Sequence, residues 1–95
     1  MSQTKQVIFV AKEENISELK ALLETMVQAS RDEVGCELYH IYQMESKPTT
    51  FVVIETWESD EALNGHKQSA HYIHYKANFE QYTADKFSQE LNELS

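Results

Sequence analysis

A chain of 95 residues with 41% hydrophobic and 25% charged side chains is expected to form one soluble globular domain, residues 1–95. The net charge is −8 and the eight basic residues, seven of them Lys, are spread from Lys5 to Lys86 without a patch. That excludes the basic stripe that nucleic-acid binding requires.

No stretch approaches the ~20 apolar residues of a membrane span. The N-terminal MSQTKQVIFVAKEE is not expected to act as a signal peptide, because its apolar run ends at Ala11 and Lys12, Glu13 and Glu14 follow at once. The single cysteine, Cys36, permits no intrachain disulfide or Cys-based zinc motif and suits a reducing cytoplasm. A domain of this size buries only roughly 65% of its unfolded surface, so association with another copy is a common remedy.

In chain order, QVIFVA (6–11) is short, apolar and β-branched, and predicts a buried strand. Asn15 with Glu18 forms a capping-box pattern. Ile16, Leu19, Leu22, Leu23, Met26 and Val27 then recur on one helical face, and Gly35 suits the helix end. CELYHIYQM (36–44) predicts a second strand, with Leu38, Tyr42 and Met44 on one face and Tyr39 and Ile41 on the other. SKPT (46–49) is a turn. TTFVVIETW (49–57) is the clearest strand, with Phe51, Val53, Glu55 and Trp57 sharing a face. Ser59 caps a short helix over 60–66, and Ser69 caps a longer one from about Ala70 to Thr83, whose stripe is Tyr72, Tyr75, Phe79 and Tyr82. FSQEL (87–91) is a weak last strand.

The order β-α-β-β-α-β is the ferredoxin-like α+β plan with an antiparallel sheet. Strands two and three are apolar on both faces. A sheet with helices on one side would leave one face wet, so pairing with a second copy is expected.

Candidate chemistry gathers in HKQSAHYIHY (66–75), which holds three of the four histidines. His71 and His74, three apart on a helix, with His66 nearby, allow a metal-site reading, but no HExxH pattern is present and a third ligand is not evident. The same histidines allow an acid/base reading, because imidazole titrates near neutral pH. Glu55 interrupts an apolar strand face, and a buried carboxylate is costly unless paired. It either orients a histidine or makes a structural bond to a helix or to a partner copy. Trp57, Tyr39 and Tyr72 are aromatic-wall candidates or plain core residues. Cys36, at the start of a strand, reads as a small buried thiol.

EVGCELY (33–39), IETWES (54–59), His66 and SAHY (69–72) together resemble the antibiotic biosynthesis monooxygenase domain, over roughly residues 6–85 and in the same order. The resemblance implies a ferredoxin-like unit that dimerises into an α/β barrel. It also implies oxygenation of a small phenol or quinol with no flavin or metal. His71 and His66 match the family's two histidine positions and would be proton acceptors, Glu55 an orienting carboxylate, and Trp57, Tyr39 and Tyr72 the substrate walls. The implied partners are an aromatic small molecule, oxygen and a second copy, with neither nucleic acid nor membrane.

Haem-degrading relatives carry a first-strand Asn, a Trp and an axial His. Here Lys5 to Lys12 lacks Asn, His66 stands at the Trp position and Lys76 at the axial position. The alternative is an isomerase of a small phosphorylated metabolite, for which Lys67 would be a point charge, Arg31 being the only arginine. A non-catalytic dimeric binder is the third reading.

Overall fold

A computed structural model describes all 95 residues. Strand β1 (Gln3–Ala11) leads through a single helical turn (Glu13–Asn15) into α1 (Ile16–Glu24) and α2 (Val27–Arg31). Strands β2 (Cys36–Gln43) and β3 (Thr50–Trp57) form a hairpin. Helices α3 (Asp60–Lys67) and α4 (Ala70–Asn78), a further turn (Glu80–Tyr82) and β4 (Thr83–Leu91) complete the chain. The four strands lie in the order β2-β3-β1-β4 and every pair is antiparallel. This is the ferredoxin-like arrangement expected.

The period-2 pattern of β3 is realised residue by residue. Phe51, Val53, Glu55 and Trp57 are buried beneath the helices, while Val52, Ile54 and Thr56 are half-exposed on the other face. Leu19, Leu22, Leu23 and Met26 pack onto Val7, Phe9, Phe51 and Val53 to make one core. Full burial of a side chain such as Leu19 contributes about 1.5–3 kcal/mol. Tyr75 of α4 and Phe79, just after it, close over Phe9 with ring centroids 5.9 and 6.2 Å away, both edge-on.

The sequence expectations need five corrections. The Asn15 side chain makes no capping bond; the chain enters α1 through the turn at Glu13–Asn15 instead. The first helix is interrupted at Thr25, whose hydroxyl donates to the Leu22 carbonyl at 2.6 Å, while the Met26 N–H tightens onto Leu23. Its second part ends at Arg31, so Gly35 is not the helix cap but a residue of the following turn. Helix α4 ends at Asn78 rather than near Thr83, and β4 begins four residues earlier than the expected Phe87, held by eight paired positions along β1. Ser59 and Ser69 do cap their helices, accepting from the N–H groups of Ala62 and Tyr72 at 3.1 and 3.2 Å. No helix is long and apolar enough to cross a membrane.

Candidate functional site

The turn between α2 and β2 carries the residue on which the site is built. Gly35 has φ +87°, the left-handed region that favours glycine, and a Cβ there would meet the Ala62 Cβ at 2.5 Å. Its carbonyl accepts from the Glu58 N–H at 2.9 Å. The turn is thereby pressed against the start of α3, and Glu33, two residues earlier, reaches the histidines.

One carboxylate oxygen, Glu33 Oε2, lies 2.6 Å from His66 Nδ1 and 2.7 Å from His71 Nε2. A carboxylate only accepts, so both ring nitrogens that meet it carry hydrogen. This fixes the neutral tautomers: His66 keeps its lone pair on Nε2 and His71 on Nδ1. His66, in the last turn of α3, is 2% exposed and stacks on Trp57 with centroids 4.4 Å apart. Its Nε2 has no hydrogen-bond partner in the protein. His71, in the first turn of α4, is more open, and its Nε2 also lies 3.1 Å from Ser69 Oγ.

Beside this pair is a partly enclosed cavity between sheet and helices, about 510 Å³ with its solvent-open mouth included. His66, Glu55, Tyr39 and Tyr72 all form part of its wall, together with Tyr75 and Lys86. Burial raises the Tyr39, Tyr72 and Tyr75 phenols above their ordinary values, and the Glu55 carboxylate adds to this at all three. The three hydroxyls stay protonated and can donate to an oxygen in the cavity.

The predicted residues are thus brought together, but in a different pattern. Glu55 does not orient a histidine. Its Oε1 accepts the Trp57 indole N–H at 2.8 Å, which satisfies both buried groups and braces the ring that backs His66. Glu33 is the carboxylate that holds the histidines, and it lies 33 and 38 residues from them in sequence. Trp57 is fully buried and does not line the cavity itself; it backs two residues that do, His66 and Glu55. His71 lies outside the cavity wall, on the far side of Glu33. His74 is exposed and pairs with Asn78. Cys36 is half-buried, and burial raises its thiol, as for an inert cysteine.

Glu33, His66 and His71 each offer one donor atom, all within 4.8 Å of one another, which is the ligand set of a two-histidine, one-carboxylate site. Ligands about 2.1 Å from a zinc ion stand roughly 3.4 Å apart at the tetrahedral angle. The pairs at 2.6 and 2.7 Å would have to open by about 0.7 Å to admit one. The spacing is that of shared protons.

Comparison with known proteins agrees with the fold. Residues 4–78 match the model of the antibiotic biosynthesis monooxygenase family. The chain is 35% identical over 69 residues to a protein of Mycobacterium tuberculosis named "Putative monooxygenase Rv0793", spanning 73% of this chain and 67% of that one. It is 30% identical over 67 residues to "Putative monooxygenase YcnE" of Bacillus subtilis, spanning 70% of each. The solved structure of Rv0793 superposes with a TM-score of 0.93 at 27% identity, covering 100% of this chain and 97% of that one. The structure of PA3566 from Pseudomonas aeruginosa gives 0.94 at 26% identity, covering 99% and 95%. In sequence and in fold, the chain belongs to the antibiotic biosynthesis monooxygenase family.

Proposed function

We propose that the protein is a cofactor-independent monooxygenase acting on a small phenol or quinol, with His66 as the base. One observation carries this reading. His66 donates its Nδ1–H to Glu33, keeps an unpartnered Nε2, and lines a cavity of aliphatic, aromatic and lysine side chains. A neutral imidazole placed there removes the phenolic proton, and Glu33 stabilises the imidazolium that forms.

The phenolate passes one electron to oxygen, and the two radicals join at a ring carbon as a hydroperoxide. Loss of water then gives the quinone. One oxygen atom enters the product and the other leaves as water, so phenol plus O₂ balances quinone plus H₂O with no external reductant. Tyr39 and Tyr72 donate to the developing oxyanion. The peroxide anion takes up the proton that His66 holds, which restores the neutral base, and His71 helps to hold Glu33 in place from its open side. The apolar walls shield the anion from water. The same proton relay without oxygen would serve the isomerase alternative.

A second copy completes the molecule in this reading. Ile8, Val52, Ile54 and Phe87 form an apolar strip on the sheet face that no helix covers, and Phe87 is 54% exposed. A homodimer packed sheet against sheet would bury it. The lone Cys36 thiol fits a cytoplasmic location.

Oxygen uptake on a panel of substituted hydroquinones tests the activity. The native protein should consume oxygen, and His66→Gln should lose about 10²- to 10⁴-fold in rate. His71→Ala should lose less. If no quinol is oxidised faster by the native chain than by His66→Gln, the monooxygenase reading fails.

A further inference from the structure

The protein carries sixteen acidic residues against eight basic ones, yet its cavity has the opposite balance. Lys5, Lys67 and Lys86 all line it, and Glu55 is the one carboxylate among the lining residues. The three come from separate elements: Lys5 from β1, Lys67 from the last turn of α3 and Lys86 from β4. None of them forms an ion pair. The only ion pairs in the molecule join Glu33 to His66 and His71. Even the cross-strand neighbours of Lys5, Glu55 and Glu90, do not pair with it.

Lys86 is the most telling of the three. It is half-buried, and its ammonium rests over aromatic rings, 4.8 Å from the centroid of Phe79 and 5.6 Å from those of Phe9 and Tyr75. Burial lowers its pKa, and the ammonium groups of Lys76 and Lys5 lower it further. Lys5 and Lys86 are half-buried and Lys67 is exposed, so three cations gather at one cavity against a single carboxylate, a balance that favours an anionic ligand.

We propose that the cavity recognises an aromatic acid, a phenol whose ring carries a carboxylate, with the acid group held by Lys5, Lys67 and Lys86 and the hydroxyl presented to His66. This rests on the monooxygenase reading for the role of the hydroxyl; the acid-binding half stands on the lysines alone. The apolar and aromatic walls take the ring. Because an ammonium is a point charge rather than a fork, three lysines tolerate several ring positions for the carboxylate.

Calorimetry under nitrogen separates binding from turnover. The ligands are 2,5-dihydroxybenzoate, its neutral methyl ester and inorganic phosphate. The acid should bind about tenfold or more tightly than the ester. Its affinity should fall several-fold between about 20 and 500 mM salt, while that of the ester holds. Lys86→Met and Lys67→Met should each remove most of the preference. Lys86→Met removes a half-buried charge, so its fold is retained, as circular dichroism will show.

Equal binding of acid and ester, or an unchanged preference in both variants, overturns the proposal. Phosphate binding as tightly as the aromatic acid overturns the aromatic part of it. Oxygen uptake with neutral quinols alone would sink this inference and leave the monooxygenase reading standing. Tight acid binding with no oxygen uptake by any phenol would do the reverse.

Discussion

The two faces of the sheet are built from similar residues and do different work. Under the helices, Val7, Phe9, Phe51 and Val53 are 8% exposed or less, and into this apolar field the chain sets Glu55, Lys5 and Lys86. On the other face Ile8, Val52 and Ile54 are as apolar, but no element of the same chain lies over them, and Leu38, Tyr42 and Phe87 are exposed. The contrast teaches that apolar alternation sets which way a residue points, and that what lies above it decides its use. The covered face can hold charge in a dry setting, where electrostatic interactions are strong. The open face offers area for association.

The largest expected effect comes from breaking the contrast at adjacent residues. Phe51→Ala, on the covered face, should cost about 3–5 kcal/mol in urea unfolding at fixed protein concentration. Val52→Ala, one residue on and half-exposed, should cost about 1 kcal/mol. Similar losses at both positions would show that the open face is as well packed as the core. A smaller effect on folding, but a clear one on association, is expected from Ile54→Asp. It puts a carboxylate amid the open strip, where burial against a partner without a counter-charge is costly. By light scattering at micromolar concentration the native chain should have the mass of a dimer and Ile54→Asp that of a monomer, with circular dichroism unchanged. A native monomer would mean that the strip has some other role.

How much of this was legible in the sequence follows from the range of the interactions. The faces of β3 and the Ser59 and Ser69 caps are local, set by residues one to three apart, and could be read directly. The extent of β4 was not, because Thr83–Lys86 carries no apolar alternation and is held as a strand by pairing with β1, some 75 residues earlier. The end of α4 was missed for a related reason. The Tyr72–Tyr82 stripe stays in helical phase, while the Thr83 hydroxyl, bonding the Phe79 carbonyl at 2.6 Å, and the Lys12 N–H, bonding the Tyr82 carbonyl at 2.9 Å, turn the chain away. In the site, Glu55 stood out as a charge on an apolar strand. Glu33 did not, since an acid beside a turn is ordinary in a sequence with sixteen of them. Its signals were its place at the head of EVGCELY (33–39) and Gly35, two residues on, a residue that suits a turn.

The smallest effect should appear only in alkali, and it sharpens the comparison by using two phenols of the covered face. Tyr39 and Tyr75 are 4% and 5% exposed, and burial holds both pKa values above the ordinary value near 10. A raised value means that the folded chain retains protons that the unfolded chain gives up. Stability is therefore fully present below pH 10 and falls as the pH rises beyond it, by about 1.4 kcal/mol per pH unit for each tyrosine. Lys86 acts in the opposite sense. Its lowered pKa means that the unfolded chain binds more protons up to pH 10.5, so stability rises toward that value and then levels. The two contributions offset each other near pH 10, and the decline becomes plain above 10.5. Tyr75→Phe should lower the slope measured there by urea unfolding by about 1.4 kcal/mol per pH unit, and Lys86→Met should remove the rise that precedes it. A slope that Tyr75→Phe leaves unchanged would mean that the Tyr75 hydroxyl ionises freely in the folded protein, and that the covered face is wetter than its burial implies.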